Sequence, residues 1–359
     1  MMMRCSPHLC LCLLLLVCAC VCGAKGLSQR PNSNSNSTRH SSSDSASSDS
    51  ASSDSHSSDS SKSKSKSESE AVLSLAEVAG SLRLDAEGVT VSGLSSGGYM
   101  AVQLHVAFSA LVHGAAVFAG GPFYCADNNA VTAQRQCMEV LGAGPNVAEL
   151  VRFSGRKDAL GQIDSLSNLR DDKVFLFRGA EDTVVDLRVV TSLQEYYATY
   201  VDASGLSMDL DVPAEHCLPT LDYGEECEVL ASPYLGRCNV DGAGRAFATL
   251  FSDLQPRVAE ANPARLLNFD QTPYFSGSRT SLDPQGFLYV PSQCQDGSTI
   301  CRLHISFHGE SFHPMYFCSC VCDNLYVLCI YVCVWQCDAG CLQGRSFVGN
   351  QYALDGECY

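Results

Sequence analysis

The sequence predicts an α/β fold built on a mostly parallel sheet with flanking helices, and three observations carry that expectation. Short β-rich runs alternate with helical patterns from Ala71 onward. A glycine-flanked serine sits between one such run and the helix that follows it. With 46% hydrophobic residues, the 359-residue chain has enough apolar material for a large core. Taken in order, a strand is expected at Gly88–Ser92, a helix over Tyr99–Leu111 and a strand at Gly114–Ala119. Val174–Phe177 reads as a strand leading into a helix over Val184–Val201. Further strands are expected at Met208–Val212, Phe287–Val290 and Leu303–Phe307, with a helix near Ala243–Leu254.

The amino terminus has a different character. Arg4, an apolar run from Leu9 to Cys22 and the small residues Gly23 and Ala24 form the layout of a secretory signal peptide over residues 1–24, so a secreted, extracellular protein is expected. The run is short for a bilayer span, and no stable membrane anchor is expected. Residues 25–70 form a Ser/Asp-rich tract, mostly serine from Asn32 to Glu70, with Asp44, Asp49, Asp54 and Asp59 recurring every five residues and Lys62, Lys64 and Lys66 alternating with serine. So little hydrophobic content cannot build a core, and the tract reads as a disordered, solvated spacer. It carries one N-glycosylation sequon, Asn36-Ser37-Thr38. The folded α/β domain is assigned to residues 71–359.

Net charge is −16, and the part expected to fold shows no basic patch, which argues against nucleic acid as a partner. Of 21 cysteines, six lie in the signal segment and six between Cys318 and Cys337. The other nine suggest disulfides in an exported protein, with Cys125–Cys137, Cys227–Cys238 and Cys294–Cys301 as sequence-near pairs; spacing alone does not fix connectivity. Paired Cys-x-x-Cys units with matching histidines are missing from the domain, so no metal site is expected.

The sharpest motif is Gly93-Leu94-Ser95-Ser96-Gly97-Gly98, between the strand-like Gly88–Ser92 and the helix-like Tyr99–Leu104. A serine on a sharp strand-to-helix turn needs glycine two places to either side, because side chains there would meet neighbouring backbone. The turn presents Oγ at a helix amino terminus, the context of a nucleophile elbow in an α/β-hydrolase. Such a serine needs a base and a carboxylate to orient it, in the chain order Ser, acid, His. Asp182, just beyond the strand Val174–Phe177, is the expected acid. Glu181 and Asp186 are close by, and the plainer role for Asp182 is to cap the following helix. His216, in the loop after Met208–Val212, is the expected base. Ser96 is expected to donate its backbone N–H to the oxyanion. The second donor is expected in the loop that opens with His308-Gly309. In most α/β-hydrolases that loop precedes the nucleophile; here it follows all three triad candidates, so the chain looks circularly permuted.

These residues resemble the extracellular poly(3-hydroxybutyrate) depolymerases, whose catalytic domain is a circularly permuted α/β hydrolase. The resemblance covers most of Gly88–Gly309. It is carried by Val91–Met100, Val117–Cys125, the Gly179–Asp182 loop, His216 with Pro219-Thr220, and Leu303–Gly309. It implies Ser95, Asp182 and His216 as the triad, Ser96 as an oxyanion donor, polyesters of short 3-hydroxy acids as substrate, and no cofactor. The partner expected is thus a polyester or small ester, acted on by a monomer.

The sequence departs from that pattern after Gly309. The continuation expected there, Cys341-Leu342-Gln343, appears only after Glu310–Gly340, a stretch with six cysteines, no Lys or Arg, and an apolar run from Leu325 to Trp335. It reads as translated intron sequence or as a genuine disulfide-rich lid. The second oxyanion donor is Cys341 in the first case and Glu310 in the second. The permuted architecture also calls for a further core strand and helix beyond Tyr359, so the carboxyl-terminal part of the domain is expected to be missing. Two rival readings follow, a secreted esterase of the feruloyl or acetylxylan type, and an inactive secreted binding protein.

Overall fold

A computed structural model describes residues 75–254, 263–274, 284–309 and 327–332. The expected signal peptide and spacer lie outside these residues, as do Glu310 and Cys341. After a short helix, α1 (Leu75–Ser81), the chain enters its longest strand, β1 (Arg83–Leu94), which extends five residues ahead of the expected start. The elements that follow are α2 (Ser96–Ala107), β2 (Gly114–Phe118), α3 (Ala130–Cys137), α4 (Val147–Ala159), β3 (Lys173–Phe177), α5 (Leu187–Ala198) and β4 (Leu206–Asp209). Then come β5 (Leu218–Thr220), β6 (Glu225–Glu226), β7 (Leu235–Arg237), α6 (Gly242–Leu250), β8 (Leu266–Asp270), β9 (Gln285–Tyr289), β10 (Ile300–Phe307) and β11 (Val327–Val332).

The main sheet has the order β4-β3-β2-β1-β10-β11-β9-β8. It is parallel from β4 through β11, and antiparallel where β11 meets β9 and β9 meets β8. The expectation of a mostly parallel sheet is met. Strands covered on both faces read as continuous apolar runs, and all five residues of β2 (GAAVF) are buried. Val91 of β1 pairs with Ala115 on one side and Ile305 on the other, so β1 and β10 form the middle of the sheet. Because these strands are parallel, the turns after β1, β2, β3 and β10 share one edge. Ligands of open α/β sheets gather at this carboxyl edge.

Helix α2 is buried over every residue from Gly97 to Ala107 and has no polar face. It ends earlier than expected, because the chain turns at Phe108, whose carbonyl accepts from Leu111 N and Val112 N, both at 2.9 Å. Helix α5 has an amphipathic pattern and buries Val189, Val190, Leu193, Tyr196 and Tyr197. It begins at Leu187 rather than Val184, because the Asp186 side chain caps it by accepting from Arg188 N at 2.8 Å. The strand expected at Met208–Val212 is β4, two residues earlier.

Between β1 and β10 lies a buried polar row. His304 bonds Thr90 Oγ1 at 2.8 Å and Ser92 Oγ at 2.7 Å, and Ser92 Oγ donates to Ser306 Oγ at 3.1 Å. A small second sheet, β5-β7-β6, follows the expected base loop. The disulfides Cys125–Cys137, Cys227–Cys238 and Cys294–Cys301 are the three sequence-near pairs expected. Strand β11 comes from within the anomalous 310–340 stretch and joins β10 to β9.

Candidate active site

Ser95 occupies the turn between β1 and α2 with φ 56° and ψ −122°, a conformation that side-chain-bearing residues rarely hold. The two glycines make it possible. A Cβ at Gly93 would lie 2.2 Å from the Gly97 backbone carbonyl, and one at Gly97 would lie 2.2 Å from the Phe307 carbonyl oxygen. Ser95 N donates to Phe118 O at 2.8 Å, which fixes the turn on the end of β2. Ser95 and Ser96 are half-buried, whereas Gly97 and Gly98 are buried. Ser96 opens α2, where the first backbone amides have no acceptor inside the helix. On the other flank, a Cβ at Gly309 would lie 3.4 Å from Ser95 Cβ, so the expected oxyanion loop does reach the elbow.

Asp182 and His216 are buried and joined. His216 Nδ1 donates to Asp182 Oδ2 at 2.9 Å. The other carboxylate oxygen accepts from Val184 N at 2.8 Å and Val185 N at 2.9 Å. Asp182 therefore organises its own turn and the imidazole, while the helix cap considered for it falls to Asp186. Glu181 is exposed. The two loops also interlock through their backbones, Ala180 N donating to Val212 O at 2.7 Å and Glu181 N to Ala214 O at 3.0 Å. Gly179 permits this approach, since a Cβ there would lie 2.0 Å from Ala214 O.

Tyr99 lies one helical turn after Ser95, within reach of the Asp182 charge. Its hydroxyl donates to Cys137 O, and burial first and the Asp182 charge second push its pKa upward. No hydrogen bond links Ser95 to His216 among the described residues; in ligand-free sites such contacts are commonly long.

Two residues beside the site were not singled out in the sequence. The Arg178 guanidinium donates to the carbonyls of Gly179, Ala180, Asp182 and Val185, holding the acid loop from within. The Glu215 carboxylate accepts from the backbone and hydroxyl of Thr183 and from His216 N. Its position directly before the expected base was the one available signal. Cys217, directly after that base, is a buried free cysteine; burial, then the Asp182 and Glu215 charges, push its thiol up to about 12. Among the described residues no three metal-ligating side chains cluster, and no helix is long and apolar enough to cross a membrane.

No protein-family model matches the chain. It is 40% identical over 232 residues to a poly(3-hydroxybutyrate) depolymerase of Delftia acidovorans, covering 64% of this chain and 46% of that protein. It is 34% identical over 249 residues to a polyhydroxybutyrate depolymerase of Talaromyces funiculosus, covering 66% of this chain and 70% of that one. The chain thus spans less than half the length of the Delftia protein. Among solved structures, it is similar to the PHB depolymerase of Penicillium funiculosum, with a TM-score of 0.61 and 30% identity over 71% of this chain and 81% of that one. A structure of a PHB depolymerase complexed with an R3HB trimer matches equally well.

Proposed function

The chain belongs to the poly(3-hydroxybutyrate) depolymerase family, and from that premise we propose that it is a secreted serine hydrolase of poly(3-hydroxybutyrate)-like polyesters. The observation that carries the proposal is a strained, glycine-packed Ser95 on the same sheet edge as the buried Asp182–His216 pair. His216 takes the Ser95 proton through Nε2 as Oγ attacks an ester carbonyl, and Asp182 holds the imidazole with its Nδ1 proton inward. The alcohol leaves with that proton, and water activated by His216 then releases the acid from the acyl-enzyme. Ser96 N–H meets the developing oxyanion at the amino end of α2, where the helix dipole favours negative charge. The three disulfides support export to an oxidising compartment.

The test is Ser95→Ala. The wild type is expected to react with a fluorophosphonate, turn over p-nitrophenyl butyrate and clear a poly(3-hydroxybutyrate) film. The variant is expected to fold, escape labelling and lose about 1000-fold or more of its turnover. Hydrolysis that survives in Ser95→Ala sinks the proposal. Turnover of the soluble ester without film clearing points to the small-ester reading instead.

A further inference from the structure

We propose that Glu215 is a positioning residue that fixes the spacing between the acid loop and the base loop, and with it the Asp182–His216 hydrogen bond. This rests on the serine-hydrolase reading. Asp182 and Thr183 are neighbours on one loop, and Glu215 and His216 are neighbours on the other. The loops are therefore cross-linked twice in adjacent positions, once by Asp182 to the His216 ring and once by Thr183 to the Glu215 carboxylate. Thr183 N lies 3.2 Å from both oxygens of Glu215, Thr183 Oγ1 donates to Oε1, and His216 N donates to Oε2.

Three donors converge on one carboxylate, so its chemistry here is purely that of an acceptor. One of those donors is the backbone of the base itself. The Glu215 backbone is held in turn, its N–H donating to Cys227 O at 2.9 Å beside the Cys227–Cys238 disulfide. A 6% exposed carboxylate with no cationic partner among the described residues is costly to bury, and these donors offset that cost. His216, Asp182 and Cys217 are titratable groups near it, and none of them replaces the link to Thr183: the His216 ring is bonded to Asp182, and Cys217 carries a buried thiol. Without that link the two loops share only their backbone contacts and the Asp182–His216 bond, so the imidazole is free to drift from its catalytic orientation.

Three variants test this. Glu215→Ala and Thr183→Val cut the link from opposite sides, so one reports even where the other fails to fold. Glu215→Gln preserves the link, because its amide oxygen accepts from His216 N and Thr183 N while its amide N–H donates to Thr183 Oγ1, which turns to accept. On p-nitrophenyl butyrate, Glu215→Ala is expected to lose up to about 100-fold in kcat with KM within about twofold, since misplacing a catalytic group acts on the transition state. Thr183→Val is expected to lose several-fold, and Glu215→Gln to recover most of the Glu215→Ala deficit. The downfield proton resonance of the His216 Nδ1–H···Asp182 bond provides a readout that needs no turnover. It is expected to be sharp in the wild type and Glu215→Gln, and broadened or absent in Glu215→Ala. Wild-type kcat and resonance in both Glu215→Ala and Thr183→Val overturn the inference. A wild type inert to esters and to fluorophosphonate overturns the hydrolase reading instead, while the resonance still decides the role of Glu215.

Discussion

His304 shows how one residue couples the core to pH. It is fully buried between β1 and β10, with Thr90 on one ring nitrogen and Ser92 on the other, and burial pushes its pKa from 6.5 down to about 3. The folded protein holds the ring neutral, whereas the unfolded chain takes up a proton once the pH drops below about 6.5. The stability this group contributes is therefore complete above that value and is lost as the pH falls toward 3. Between pH 7 and pH 5 the loss is about 2 kcal/mol. His113 acts in the opposite sense, because the Asp172 carboxylate 3.8 Å from its ring raises its pKa; it is partly exposed, so its effect is smaller. His304→Gln can bridge the same two hydroxyls without titrating. Urea unfolding of both proteins at the two pH values should show the wild type losing about 2 kcal/mol relative to the variant; parallel curves would refute the account. At this scale the turn at Ser95 was legible from its flanking glycines, and the pairing of Asp182 with His216 was expected from the chain order Ser, acid, His. Glu215 and His304 were not. A charged residue in a loop or a histidine inside an apolar strand carries no periodic signal, and its meaning appears only with its partners.

At the scale of elements, the elbow depends on how closely α2 approaches the end of β10. A methyl group on Gly97 would meet the carbonyl oxygens of Phe307 at 2.2 Å and His308 at 2.5 Å, and backbone cannot step aside as a side chain can. Gly97→Ala is expected to cost about 3 kcal/mol and to abolish turnover with it. Gly155→Ala, in α4 with nothing within 4 Å of the new methyl, is expected to be neutral or stabilising by about 0.5–1 kcal/mol. Thermal melts of the pair check both, and equal melting temperatures would refute the packing argument. Helix α2 could not be located from amphipathicity, since it is buried all round; the glycine spacing and the strand before it revealed it. The small β5-β7-β6 sheet was illegible because strands of two or three residues are too short to show alternation. The start of α5 was misjudged by three residues for a specific reason, the cap supplied by Asp186 rather than Asp182.

At the scale of the molecule, β11 occupies an interior position that the sequence did not suggest. Its stretch read as foreign to the domain, yet Ile330 pairs with Ile305 of β10 on one side and Leu288 of β9 on the other. An interior strand needs its backbone N–H whichever neighbour it faces, so Ile330→Pro should abolish the cooperative melt. An unchanged melting temperature would show that the sheet closes without this strand. The parallel block itself was legible, because strands covered on both faces leave uninterrupted apolar runs. The pairing of β1 with β10 has a further consequence. Thr90 and His304 touch although 214 residues separate them. As the polypeptide emerges from the ribosome, the strand carrying Ser95 must wait for a neighbour that is made late, and contacts this distant in sequence form slowly. The middle of the sheet, and the turn that follows β1, therefore cannot close until synthesis has passed the far strand.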